Sequence, residues 1–425
     1  MRTRPTLTAL AVLAAGALTL TGCGGSSDTT DPVTDASTPA AESTGSLTIW
    51  ADVTRYQPVV DAAADFTAAT GVEVEVVQRD YSKMQNDFIS QAPTGNGPDI
   101  IIGGNDWTGK LVQNGVIAPI ELGDNAGDYV DVAIEAVSYD GQVYGLPYAV
   151  ENVGLFRNPA LADSTPGTLD ELIAKGQQLV DEGKAKYPFM VQQDPTGGDP
   201  YHLYPIQSSF GATIFATAAD GTVDSSKVAM GGENGARFAT YLADLGARGI
   251  ITPNITADVA KQAFINGEVP YVISGPWNIE DFKAAIPDVA VDTIPSAGGE
   301  PSVALASVQA FFVSSYSNNQ LAANQFLVNY VGTEDVQLAL YEAGQRPPAL
   351  KAAAESSTIT GDPIMKGLAA VGATATPQPN VPAMSAVWTY WGPTQVAIES
   401  GTGGDPATVW QEGCDAIDAE IASAS

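Results

Sequence analysis

Strand-like and helix-like segments alternate through the first part of the folded chain. Residues 47–50 form a short apolar strand, and Val59 and Phe66 belong to a segment with helical spacing that follows it. Residues 72–77 then alternate between valine and glutamate, as a strand with one exposed face does. The run Asp-Ile-Ile-Ile at 99–102 is typical of a strand that is buried on both faces. This order predicts right-handed crossovers and a parallel sheet covered by helices.

A second region of the same kind follows. Residues 168–183 and 235–246 show helical spacing, and residues 271–274 form an apolar strand that leads through a Gly-Pro turn into Trp277. Two further helical patterns close the chain. A length of 425 residues suits two or more domains of about 100–200 residues each, so we expect an α/β protein with two such regions.

The N-terminus has the features of a secretion signal, which we place at residues 1–22. Its apolar run, residues 7–20, is shorter than the roughly 20 residues that a membrane-spanning helix needs. The sequence Leu-Thr-Gly-Cys at 20–23 resembles the lipobox of bacterial lipoproteins, in which a peptidase cuts before the cysteine and the thiol carries a diacylglyceryl group. An ordinary cleavage site, with Cys23 as a bystander, is the alternative.

Residues 23–45 are expected to comprise the lipidated Cys23 and a flexible linker. The segment consists almost entirely of Ser, Thr, Asp, Pro, Ala and Gly, and a flexible chain of this length spans about 25 Å. We therefore predict a protein that is tethered at the extracellular face of the cytoplasmic membrane and contacts the membrane only through its lipid.

The charge balance excludes several classes of partner. The chain has 18 Lys and Arg against 49 Asp and Glu, a net charge of −31. Such a surface repels phosphate backbones, so no nucleic acid is expected, and it has no charge attraction to an anionic membrane. With one histidine and two cysteines, no metal-ligand spacing is present, and no cofactor is expected.

Catalytic motifs are missing from the sequence, whereas aromatic rings and carboxylates gather at predicted strand ends and turns. The sequence contains no GxSxG, P-loop, GxGxxG or HExxH pattern. Aromatic rings suit the C–H faces of a sugar, and carboxylates accept hydrogen bonds from its hydroxyl groups. The candidate residues are Asp106, Trp107, Glu151, Asp199, Tyr201, Tyr204, Trp277, Trp388, Tyr390 and Trp391.

Several longer motifs carry a family resemblance. In their order and spacing, they resemble the bacterial extracellular solute-binding proteins of ATP-binding-cassette (ABC) sugar importers, and most closely the maltose/maltodextrin-binding proteins. The motifs are Thr-Gly-Asn-Gly-Pro-Asp-Ile-Ile at 94–101, Tyr-Gly-Leu-Pro-Tyr-Ala-Val-Glu at 144–151, Ala-Phe-Ile-Asn-Gly-Glu at 263–268, Ile-Ser-Gly-Pro-Trp at 273–277 and Pro-Ala-Met-Ser-Ala-Val-Trp at 382–388.

The resemblance implies a two-lobed periplasmic-binding-protein type II fold. Each lobe is expected to hold a mostly parallel sheet flanked by helices, with three hinge crossings between the lobes. The N-lobe would comprise residues 46–149 plus 311–356, and the C-lobe residues 154–305 plus 362–425. The ligand would lie in the cleft between them.

The resemblance also assigns roles to individual positions. Asp106 and Glu151 match carboxylates that hold sugar hydroxyls, and Trp277 and Trp388 match stacking indoles of the second lobe. Further matches concern Asp199, which stands where the family has an acidic residue, Tyr201, which would lie under a glucose face, and His202, which falls where the family has a Phe and would either pack or donate to a hydroxyl.

Some positions depart from the family pattern near the first lobe's loops. The family's Trp near the Asp106 loop is Gly103 here, and the Arg beside that aspartate is Trp107, so the indole is expected to have moved along the loop. An Asp–Lys pair expected after the first strand has Asp52 and Arg55 as its candidates.

A second group of departures lies after Trp388. The family has Tyr and, one turn later, Arg, where this chain has Thr389 and Gly392. Tyr390 and Trp391 are expected to compensate for these changes.

These observations predict a lipid-anchored, monomeric receptor of an ABC importer and not an enzyme. It would capture maltose or maltooligosaccharide-type α-glucosides by closure of the lobes and deliver them to membrane permease subunits. Trehalose or another oligosaccharide is an alternative ligand, and an exported glycoside hydrolase is the alternative from another class.

Overall fold

The structure is a computed structural model that describes residues 45–217 and 223–424. The predicted signal at 1–22, Cys23 and all but the last residue of the linker lie outside the described residues. Within the described ranges, no helix combines the length and apolarity that crossing a bilayer requires.

The described residues form strands and helices in alternation. The strands are β1 (Ser46–Ala51), β2 (Glu73–Gln78), β3 (Ile100–Gly104), β4 (Ile117–Ala118), β5 (Ser138–Tyr139), β6 (Gln142–Val143), β7 (Gly145–Glu151), β8 (Gly154–Arg157), β9 (Met190–Val191), β10 (Phe215–Thr217), β11 (Val223–Val228), β12 (Tyr271–Ser274), β13 (Ala290–Asp292), β14 (Leu305–Ser314) and β15 (Thr376–Pro377).

The helices include four short ones of four or six residues. They are α1 (Tyr56–Thr70), α2 (Tyr81–Gln91), α3 (Thr108–Gln113), α4 (Asp131–Ala136), α5 (Leu169–Asp181), α6 (Pro200–Ser208), α7 (Gly232–Ala247), α8 (Ala257–Ile265), α9 (Ile279–Ala285), α10 (Gln320–Phe326), α11 (Glu334–Gly344), α12 (Lys351–Ala354), α13 (Ser357–Thr360), α14 (Pro363–Gly372), α15 (Met384–Glu399) and α16 (Pro406–Ala424).

The first sheet has seven strands, and its parallel part follows the predicted pattern. Strand β1 pairs in parallel with β2 on one side and with β3 on the other. The Ile100–Ile102 run is buried because β3 lies between β1 and β14 and is covered on both faces. Helix α1 ends where predicted, since Gly71 takes a left-handed conformation with φ 75°.

The second sheet has four strands in the order β13-β8-β12-β9. Alternate residues of its strands face opposite cores: Leu155 and Ile273 pack into one cluster, and Phe156 and Val272 into another. The second sheet is therefore covered on both sides, as the first one is.

Both sheets are mixed, whereas the prediction was a mostly parallel sheet in each lobe. In the first sheet, β14 runs antiparallel to β3, β4 and β7, and in the second, β8 runs antiparallel to β12 and β13. The physical reason lies in the connections. Strand β8 follows β7 after residues 152–153, and β14 follows β13 after residues 293–304, so neither is reached through the crossover helix that makes neighbouring strands parallel.

These two connections carry the chain from the first sheet to the second and back. A third passage follows Ala353, which packs in the core of the first sheet, and leads to Ile359, which packs beside the second. Cys414 lies buried in α16, where burial raises the pKa of its thiol to about 12, so this thiol is a packing group rather than a nucleophile.

Candidate functional site

The ends of three strands bring candidate residues to the region between the two sheets. Asp52 follows β1, a short 3₁₀ turn (Asn105–Trp107) follows β3, and a similar turn containing Trp277 follows β12. In open α/β sheets, ligands bind in the crevice outside the carboxyl ends of the strands.

Asp106 and Trp388 contact each other directly across this region. The indole Nε1 of Trp388, on α15, donates to Asp106 Oδ2 at 3.1 Å. Burial raises the pKa of Asp106 to about 6, against the opposing effects of its backbone hydrogen bond and of Trp388. A cavity of about 250 Å³ adjoins the pair, and its lining is Gln85, Asn86, Asp106, Lys110, Ser385, Trp388 and Thr389.

The Trp107 indole occupies the space beside Gly103. A Cβ on Gly103 would overlap the ring of Trp107, and that ring also packs at 5.1 Å, centroid to centroid, against Tyr81. The ring therefore fills the position that a side chain at residue 103 would take. Trp107 is only 8% exposed, so in this conformation little of the ring is open.

A buried polar network joins Asp52 to Glu151. Arg55 forms an ion pair with Asp52 and donates from Nη2 to Gln309 Oε1 at 2.7 Å. Gln309 Nε2 in turn donates to Glu151 Oε1 at 2.9 Å, and Arg346 Nε donates to Glu151 Oε2 at 2.6 Å. Both oxygens of Glu151 are thus held by protein donors, and each buried acid has an arginine partner.

Tyr201, His202 and Trp277 form a second cluster, on the side of the second sheet. The ring centroids of Tyr201 and Trp277 are 6.4 Å apart, and the His202 ring lies edge-on to Trp277 at 5.5 Å. The Arg346 guanidinium lies 5.8 Å from the centroid of the Trp277 ring, so this cluster adjoins the buried polar network.

Asp199 is the N-cap residue of α6. Its Oδ1 accepts hydrogen bonds from the backbone N–H of His202 at 3.1 Å and from His202 Nδ1 at 2.8 Å, and its Oδ2 accepts from Gln192 Nε2 at 2.7 Å. Burial raises the pKa of Asp199, but the charge of His202 and these hydrogen bonds outweigh it and hold the pKa below its usual value. Since both oxygens are occupied, the geometry favours a positioning role for Asp199.

The departures after Trp388 have structural explanations. The Trp391 ring stacks on Trp388 with a centroid distance of 5.3 Å. Trp391 is 1% exposed and donates from Nε1 to Gln207 Oε1, so it is a core residue that supports the Trp388 ring. A Cβ on Gly392 would overlap the backbone of Gly197, which leaves no room for the arginine that the family has there. Tyr390 is half-buried against the second core and, two residues along the helix, lies about 200° around α15 from Trp388.

A further buried acid lies near the C-terminal end of α15. Glu399 is 4% exposed, and no hydrogen-bond partner for either of its oxygens is found in the described part of the chain. Burial, and secondarily the charge of Asp199, raises the pKa of Glu399 to about 8. This side chain therefore carries a proton at neutral pH.

The sequence did not indicate Gln309, Arg346 or Tyr148, whose hydroxyl accepts from Arg55 Nε. Gln309 lies in the long buried strand β14, where a polar residue among apolar neighbours was the available signal. Arg346 precedes two prolines in a chain with few basic residues. In the described residues, no group of three or more His, Cys, Asp or Glu side chains is placed to hold a metal ion.

Comparison with known proteins decides the family. Residues 61–367 match the model of the family described as bacterial extracellular solute-binding protein. The chain belongs to this family. Its members are binding proteins, and the chain is accordingly a solute-binding protein and not an enzyme.

Individual relatives extend over most of the chain. A galactooligosaccharide-binding protein of Bacillus subtilis is 27% identical over 384 residues, which are 88% of each chain. A maltodextrin-binding protein of the same organism is 24% identical and covers 81% of this chain and 82% of its own.

The solved structure of a Thermus thermophilus maltotriose-binding protein with maltotriose bound superimposes with a TM-score of 0.77 and 28% identity. The match covers 88% of this chain and all of that one. The predicted fold class, a periplasmic-binding-protein type II fold, is confirmed.

Proposed function

We propose that this solute-binding protein is the sugar receptor of an ABC importer and that it takes maltose and maltooligosaccharide-type α-glucosides. The Asp106–Trp388 hydrogen bond carries the proposal, because it joins a carboxylate of one side to an indole of the other. The two sides would be the lobes predicted above, residues 46–149 with 311–356 and residues 154–305 with 362–425.

The chemistry of the two sides suits a neutral sugar. The rings of Tyr201, Trp277 and Trp388 offer flat apolar faces for the C–H faces of glycosyl units. Asp106 offers a carboxylate oxygen, and hydrogen bonds to a charged acceptor contribute about 1.5–3 kcal/mol. Arg55 and Arg346 are each paired with an acid, so neither offers an anionic sugar an uncompensated charge.

Capture would occur by closure of the lobes. A ligand that touches one lobe alone has the same affinity for open and closed forms and shifts nothing. A sugar that contacts Asp106 on one lobe and Trp277 on the other binds the closed form more tightly and populates it. The closed, liganded form would then dock on the permease, and a diacylglyceryl group on Cys23 would hold the receptor beside it. Mass spectrometry of the mature N-terminus tests the lipid.

Galactooligosaccharides are a second candidate ligand class, because a relative named for them matches 88% of the chain. Glucose and galactose differ only in the orientation of one hydroxyl group, so the aromatic faces accept either. The polar groups around the rings would decide between them.

A ligand panel tests the proposal. Purified protein is titrated in a calorimeter with maltose, maltotriose, maltotetraose, trehalose and galactotriose, and each mixture is then checked for hydrolysis. We expect saturable binding of maltotriose with the sugar recovered intact and a raised melting temperature. Release of glucose would support the glycosidase alternative, tight binding of galactotriose alone would reassign the ligand, and no binding of any sugar would overturn the proposal.

A further inference from the structure

His202 has one ring nitrogen that the protein leaves unused. The side chain is 3% exposed, and its Nε2 is fully buried without a hydrogen-bond partner in the residues that the structure describes. A buried polar atom without a partner costs about 1–3 kcal/mol, so such atoms are rare in native proteins and call for an explanation. The other nitrogen, Nδ1, is bound to Asp199 at 2.8 Å.

The bond to Asp199 determines what Nε2 can do. Asp199 is ionised at neutral pH because its pKa lies below the usual value, so its Oδ1 needs a donor and His202 Nδ1 carries the proton. Nδ1 carries this proton whether the ring is neutral or protonated, so Nε2 accepts a hydrogen bond in the neutral ring and donates one in the protonated ring. The backbone N–H of His202 binds the same carboxylate, which fixes the start of α6 and the ring together.

The surroundings of the ring belong to the candidate site. The His202 ring lies edge-on to Tyr201 at 5.6 Å and to Trp277 at 5.5 Å, centroid to centroid. Both neighbours are aromatic faces on which a glycosyl ring would stack. A hydroxyl group suits this position because it can both donate and accept, and so pairs with Nε2 in either protonation state of the ring.

We infer that His202 is a specificity-determining residue: its Nε2 forms a hydrogen bond with one hydroxyl of a glycosyl unit that stacks on Trp277 or Tyr201. Asp199 is the positioning residue that holds the ring orientation. The inference rests on the proposed function and adds to it a polar contact that separates sugars by a single hydroxyl.

The test pairs protein variants with modified ligands. Wild type, His202→Phe and His202→Gln are titrated with methyl maltotrioside and with its monodeoxy analogues, each lacking one hydroxyl. His202→Phe should lower affinity for the parent sugar by about tenfold, since a buried hydrogen bond is lost. For one deoxy analogue, wild type and His202→Phe should bind equally, because the hydroxyl that His202 contacts is already gone. His202→Gln keeps a side-chain group that can donate or accept a hydrogen bond and should recover part of the affinity.

The possible outcomes separate the inference from the proposed function. If wild type binds no sugar in the panel, the proposed function fails. If wild type binds but His202→Phe loses the same factor against every analogue, or loses nothing, the contact does not exist and the inference is overturned. Melting temperatures of the variants without sugar report any loss of folding separately.

The role of Asp199 has its own readout. Asp199→Ala should weaken binding of the parent sugar in the wild-type background and should leave affinity nearly unchanged in the His202→Phe background. Equal losses in both backgrounds would show that Asp199 acts independently of His202, which would contradict the positioning role.

Discussion

The two sides of the cleft bury acidic groups in opposite ways. On the first side, Asp52 and Glu151 are each paired with an arginine and tied together by Gln309. On the second side, Glu399, the last residue of α15, is buried with no basic partner among the described residues, and it is protonated instead. The first arrangement keeps the charge of its acids by pairing them, and the second removes the charge of Glu399.

The comparison shows which carboxylates can still accept a hydrogen bond from a ligand. Glu151 has both oxygens engaged by protein donors, so a sugar hydroxyl would have to share them. Among the described residues, Trp388 is the one side-chain hydrogen-bond partner of Asp106, and this contact joins the turn after β3 to α15. Stability should therefore depend most on the paired acids, and affinity most on Asp106 and the indoles.

The largest expected effect follows from breaking a pair on the first side. Glu151→Gln removes the negative charge beside Arg346 and places an amide N–H₂ opposite a donor. Removing one member of a buried ion pair costs about 3–5 kcal/mol, because the remaining charge stays buried without compensation. Urea denaturation should show a loss of at least about 3 kcal/mol, whereas the exposed control Glu135→Gln should change stability by less than about 0.5 kcal/mol. If the two variants were equally stable, removal of the Glu151 charge would leave no uncompensated charge in the network, contrary to the prediction.

A pH-dependent effect is expected on the second side. Glu399 has a folded-state pKa of about 8 against a usual value of 4.5, so the folded state binds the proton more tightly than the unfolded state. Wild-type stability should then fall as pH rises between these two values, by about 4 kcal/mol. Glu399→Gln is neutral at every pH and should not show this loss.

The measurement is the difference in unfolding free energy between wild type and Glu399→Gln at pH 5 and at pH 8. The unfolding free energy of Glu399→Gln should rise relative to that of wild type as pH rises. Glu412→Gln, an exposed acid on α16, is the matched control and should follow wild type at both pH values. A constant difference between wild type and Glu399→Gln would show that Glu399 is ionised in the folded protein throughout.

The sequence predicted those structural features that depend on local residue patterns. The apolar run at 100–102, the alternating strand at 73–78 and the stop at Gly71 each follow from the residues themselves, because burial period and glycine conformation are local properties. The placement of Trp107 beside Gly103 also follows from residues a few positions apart.

The long-range pairing was not predictable in the same way. Glu151 and Arg346 are 195 positions apart, and Arg55 and Gln309 are 254 apart, so no spacing in the sequence links them. The antiparallel course of β14 has the same origin, since it depends on how the chain returns from one sheet to the other. Gln309, on β14, lies between Arg55 and Glu151.

The smallest effects on stability, and the sharpest on affinity, should come from the half-buried aromatic rings. Trp388→Ala removes a stacking face and the indole that donates to Asp106, and we expect at least about a tenfold loss of affinity for maltotriose with little change in melting temperature. Tyr390→Ala is the matched control on the same helix. Because Tyr390 lies on another face of α15, its loss should change affinity by less than about twofold. Calorimetric titration of both variants decides the point: a comparable loss in both would show that the binding surface extends around α15, and the sequence-based assignment of Tyr390 to the ligand would then be the better one.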